Sequence, residues 1–145
     1  MVDGITINAI LKIIRRNEML ENETKPILKF NAEGINPADM FLDGKKACLK
    51  AVDDFVAKHG EPMYCGFANI VIRPARGRLV KFLKGMEIGD NGYGGGWRVS
   101  YYDLMPKGHR YGHTQSMDIK EEGCNAFADA LEKYGIEAIM QSRAD

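Results

Sequence analysis

Arg73, Arg76 and Arg78 follow directly on Phe67 to Ile72, the most β-prone run of the chain. A strand that runs into a turn and then a helix leaves N–H groups exposed at the helix start. Guanidinium forks beside such groups are a common way to hold phosphate. Pro74 ends the strand, because it has no N–H for a ladder and biases Arg73 toward extended geometry. Lys81 and Arg98 extend this candidate anion site. The opposing reading has the arginines solvating the strand end or pairing with the acidic C-terminal helix, and exposed pairs of that kind contribute little. The spacing matches no Walker loop, since Gly92 to Gly96 has neither a following Gly-Lys-Ser/Thr nor a preceding strand.

Three other groups invite chemistry. Tyr93, Trp97, Tyr101 and Tyr102 lie beside the glycine run, and flat side chains near arginines can stack nucleobases, at roughly 1 to 3 kcal/mol per base. Trp97, Val99 and Tyr101 share one face of an alternating strand and read as core, which leaves Tyr93 and Tyr102 as the exposed pair. His109 and His113 have the separation of four used by helical zinc sites, with Asp103 or Cys65 as a third ligand. Gly108 and Gly112 argue against a helix there, no glutamate follows His109, and solvated loop histidines are the competing reading. Cys65 precedes a glycine at a strand start without a nucleophile signature around it, and reads as a small buried residue.

The elements that must position these groups follow from periodicity. Ile5 to Leu20 reads as an amphipathic helix, followed by a connector with a brief strand at Ile27 to Phe30. Asn36-Pro37 is a helix start, with a capping asparagine and proline at the first helical position. That helix runs to about Lys58, with Asp43-Gly44 as the point where it would break and Gly60 as its stop. Cys48, Ala51, Val52, Phe55 and Val56 form its stripe. Arg78 to Gly85 reads as a short helix, and Asp90 to Gly96 as the most flexible stretch. Trp97 to Leu104 alternates as a half-exposed strand, and Met105 to Thr114 is a polar loop. Asp118 to Glu121 matches a capping box for a helix carrying Ile119, Gly123, Phe127, Ala130, Leu131 and Tyr134. Ile136 to Ser142 is a last strand. The order implies an α+β fold: a small sheet of three to four strands with helices on one face, a ferredoxin-like half with an N-terminal helical extension.

A chain of 145 residues reads as one domain, 1–35 being helix and connector and 36–145 the core. At this size roughly 70% of the unfolded surface can be buried without staples. Hydrophobic residues at 45% and charged residues at 28% are ordinary for a soluble globular protein. No run approaches a membrane span, and Asp3 sits where a signal peptide would be basic, so no membrane association is expected. Three widely spaced cysteines suit free thiols in a reducing cytoplasm. Charge is balanced overall but not locally. Residues 73–110 carry eight basic and three acidic side chains, +5, and residues 111–145 carry three and seven, −4.

Gln115-Ser116-Met117-Asp118-Ile119-Lys120-Glu121, the alanine-rich helix after it and the closing Ser142-Arg143-Ala144-Asp145 resemble a group of small uncharacterised proteins of tailed bacteriophages. Cys65-Gly66-Phe67-Ala68 leading to Arg73-Pro74-Ala75 is similar to an earlier segment of the same group, so the resemblance spans roughly residues 64–145. It implies a phage-encoded accessory protein of the host cytoplasm and brings no activity, cofactor or catalytic residue with it. The expectation is a non-enzymatic protein that binds a phosphate-bearing ligand, nucleotide or nucleic acid, or a host protein, through Arg73, Arg76, Arg78, Lys81, Tyr93 and Arg98. The alternative is a metal-dependent hydrolase using His109 and His113. The N-terminal helix and unpaired sheet edges suit a homodimer.

Overall fold

The computed structural model describes residues 34–92 and 94–145. The helix expected at Ile5 to Leu20, the brief strand at Ile27 to Phe30 and Tyr93 lie outside the described residues. One compact unit is built from Ile35–Glu132 with Ile136–Asp145.

Helix α1, Pro37–His59, starts as its sequence dictates. The Asn36 side chain accepts from Ala38 N at 2.9 Å, Pro37 opens the first turn, and Gly60 closes the helix. It runs unbroken through Asp43-Gly44, where the sequence left a break open. Gly44 is buried instead as a contact point: a Cβ there would lie 2.6 Å from Cε2 of Phe127. Strand β1 is Gly66–Arg73, ended by Pro74, and helix α2 is Arg78–Gly85. Within the glycine-rich stretch a two-residue strand, β2, Asp90–Asn91, turns back into β3, Trp97–Ser100.

The strand expected to reach Leu104 stops at Ser100, whose hydroxyl accepts from Tyr102 N at 3.2 Å and caps a single turn, α3, Tyr101–Leu104. Tyr101 is buried all the same, since a two-residue alternation and one helical turn both place it inward, whereas Leu104, which the alternation would turn outward, is buried by the helical turn. Helix α4 is Met117–Glu132. Its cap is Ser116, which accepts from Ile119 N at 3.4 Å, rather than the Asp118–Glu121 box, and Asp118 falls in the first turn. Strand β4 is Glu137–Ala144.

The sheet order is β2-β3-β1-β4, antiparallel throughout, with β1 paired to β3 from Asn69↔Ser100 to Ile72↔Trp97 and to β4 from Gly66↔Ala144 to Arg73↔Glu137. The fold is α+β. Where the sequence suggested half of a ferredoxin-like unit, the four strands and their helices complete the β-α-β-β-α-β connectivity, with β3 lying between β1 and the short β2.

Strand parity sorts the side chains. Ala68, Ile70, Ile72, Trp97 and Val99 are buried on the inner face, against which α4 packs with Ile119, Cys124, Phe127 and Leu131, while α1 lies on α4 with Met40, Phe41, Cys48 and Val52. The outer face carries Phe67, Asn69, Val71 and Arg73 from β1, Arg98 and Ser100 from β3, and Ile139, Gln141 and Arg143 from β4. No helix among the described residues is long and apolar enough to cross a membrane.

Candidate functional site

The arginine cluster read from the sequence separates into two groups. Arg76, Arg78, Lys81 and Lys84 rim a shallow groove of about 390 Å³ at the start of α2. There Gly77 supplies no side-chain cap, and Arg78 Nη2 donates to Ile35 O at 2.7 Å. Arg73 and Arg98 stand instead on the outer face of the sheet. Arg98 opposes Asp90 across β2 and β3, and its Nε and Nη2 donate to the two Asp90 carboxylate oxygens, each at 3.0 Å. Much of its fork is thus spent within the protein.

The histidine pair does not converge. His109 Nδ1 accepts from Tyr111 N at 3.0 Å, which leaves Nε2 to donate to Asp53 at 3.2 Å. His113 stacks on Tyr102, with ring centroids 5.6 Å apart. Among the described residues no group of three His, Cys, Asp or Glu side chains could hold a metal ion. Cys65 is half-buried rather than buried, with Sγ 3.7 Å from Met63 O. Burial pushes the Cys48 thiol up to about 12 against a lowering by Lys45, and pushes Cys124 well above its ordinary value.

The residues that do converge were mostly missed. Strand β3 leaves the sheet at Ser100, so Gly66 and Ala68 of β1 lose their neighbour on that side. Gly66 N donates to Gln115 O, and Gly66 O accepts from Lys120 Nζ at 2.7 Å. Lys120 rises from α4 through this gap and is 1% exposed. Its Nζ also donates to the Tyr102 hydroxyl at 3.0 Å and lies 5.2 Å from the centre of the Phe67 ring and 5.0 Å from that of Tyr102. No carboxylate among the described residues lies within ion-pair distance of it.

A cleft of about 370 Å³ opens over this point, lined by Phe67, Asn69, Arg98, Tyr102, Lys120 and Arg143 among others, with Asp103 on its rim. A second hollow of about 200 Å³ adjoins it on the outer face, sharing Phe67, Asn69, Arg98 and Arg143 and adding Gln141 and Ser142. The Arg143 guanidinium sits 5.6 Å from the Phe67 ring centre, and Phe67 is 42% exposed. Asn69 Oδ1 is buried without a hydrogen-bond partner. The cleft therefore presents two cations against one aromatic ring, together with an acceptor awaiting a donor.

Two signals for this site were present in the sequence. Lys120 is in helical register with Cys124, Phe127 and Leu131, a lysine on an apolar stripe, and Asn69 interrupts an otherwise apolar strand. Comparison with family models, with curated proteins and with solved structures finds no match in any of the three.

Proposed function

We propose that the protein is a non-enzymatic binding protein that takes a phosphate-bearing ligand, a nucleotide or a nucleic-acid strand, on the outer face of its sheet. The phage resemblance adds the second part of the proposal, an accessory factor acting in the host cytoplasm. The observation that carries the reading is Lys120. An ammonium withdrawn from water without a carboxylate partner costs several kcal/mol, and its contacts here are a carbonyl, a hydroxyl and the Phe67 ring. A bound anion supplies the missing countercharge, with one N–H of the three still unspent.

Phe67 adds a flat surface for a base, the exposed Arg143 guanidinium beside it adds positive charge for a phosphate, and Asn69 Oδ1 offers an acceptor to a base amino group or a sugar hydroxyl. The cleft volume lies within the range of small-ligand sites. Arg76, Arg78 and Lys81 contribute a separate basic patch that draws polyanions to the molecule.

The test is titration of a labelled single-stranded oligonucleotide and of a nucleoside monophosphate at two salt concentrations, with Lys120→Met and Phe67→Ala beside the wild type. The expected result is binding that weakens with salt, is lost in Lys120→Met and falls about 5- to 150-fold in Phe67→Ala, the equivalent of one stacked base. Salt-insensitive binding, or affinity unchanged in both variants, would refute it.

A further inference from the structure

We infer that β4 is the seam of a homodimer in which two copies pair antiparallel about Met140. Among the described residues β4 has one strand neighbour, β1, and so forms an edge eight residues long. Natural edges are blunted by proline, lysine, bulges or shortness. The opposite edge, β2, has two residues; β4 has no proline, no lysine and an uninterrupted register, with its charges only at Glu137 and Arg143.

The backbone says which way the free groups point. Asp145 N donates to Cys65 O at 3.1 Å, and the register sets these two residues opposite each other, so they form a hydrogen-bonded pair. Such pairs recur every second residue, so 137, 139, 141 and 143 spend their N–H and C=O on β1. Ala138, Met140, Ser142 and Ala144 aim theirs away from it. A strand added at this edge must therefore match even residues with even residues.

Of the antiparallel self-pairings that satisfy this, one places Met140 opposite Met140, Ala138 opposite Ser142, and Glu137 opposite Arg143 of the second copy. Both ends then carry an ion pair. Sliding by two residues sets Glu137 against Asp145 in one direction and against Gln141 in the other, and loses both pairs. Charge and pleat thus select the same register. The two-fold axis runs through Met140 perpendicular to the sheet, which puts both outer faces on one side of an eight-stranded sheet.

The experiment is light scattering of the full chain over a concentration series, with melting curves to confirm that each variant folds. The expected wild-type mass is twice 16.2 kDa. Ser142→Pro removes an outward N–H while leaving the β1 ladder intact, and gives monomer. Glu137→Arg and Arg143→Glu each give monomer, and the double variant, with the charges exchanged, restores the dimer. A wild-type monomer at every concentration overturns the proposal. So does a dimer untouched by Ser142→Pro, or a double variant that stays monomeric.

Discussion

Replacing Gly44 by alanine sets two effects of opposite sign against each other. In a helix interior alanine is favoured over glycine by about 1 kcal/mol. The new Cβ, however, would stand 2.6, 2.8 and 2.9 Å from three atoms of the Phe127 ring. That ring is fully buried and is held in turn by Phe41, whose centroid lies 5.7 Å away edge-on, so it has nowhere to go. Overpacking of a dense core costs typically 1–3 kcal/mol, and a clash with a rigid ring belongs at the upper end. The expected net is a destabilisation of about 2 kcal/mol, or a melting temperature lower by roughly 4–8 °C. Urea unfolding of Gly44→Ala, Phe127→Leu and the double variant measures it. Leucine removes the ring edge, so the double variant should lose about 1 kcal/mol less than the two singles together. A Gly44→Ala protein as stable as wild type or more so, with additive singles, would mean that helix propensity alone acts at this position and that α1 and α4 do not meet there.

Three further outcomes follow from the same structure. Asn36→Ala removes the cap of α1 and should cost about 1 kcal/mol in thermal unfolding; no change would mean that the Asn36 to Ala38 bond contributes nothing. Cys65 should be the one thiol of the described residues to react with an alkylating reagent in the native protein at neutral pH, since Cys48 and Cys124 are buried with raised pKa values; mass spectrometry showing modified Cys48 or Cys124 would contradict this. The same burial predicts alkaline weakening. Cys48 rises from 9.0 to about 12 in the fold, so its contribution is full below pH 9 and is lost as pH climbs from 9 to 12, with a ceiling on the order of 4 kcal/mol. Urea midpoints should fall through that window and fall less in Cys48→Ala; a flat profile would refute the assignment.

Local signals carried the elements well and the site poorly, for physical reasons. Asn36-Pro37, Pro74 and Gly60 act on their own backbone, so they mark α1 and β1 in the sequence as plainly as in the structure. The extent of β3 was misread because Tyr101 is buried whether it continues a strand or opens a helical turn, and only the Ser100 hydroxyl decides. Gly44 looked like a breaker because the sequence does not show what lies opposite it. The arginines were grouped by proximity along the chain, yet Arg73 projects from the sheet whereas Arg76 and Arg78 lie beyond the turn. Lys120 and Phe67 are 53 positions apart and meet only because β3 leaves β1 at Ser100. The apolar inner and outer residues of β1 also hid its parity, since Val71 is as buried on the outer face as Ile70 and Ile72 are on the inner.

The outer sheet face as the binding surface is tested most directly by mapping backbone amide shifts while a single-stranded oligonucleotide is added to the full chain. Shifts are expected at Phe67, Asn69, Ser100, Tyr102 and Arg143, saturating together. Shifts confined to Arg76 through Lys84, or none at all, would contradict it.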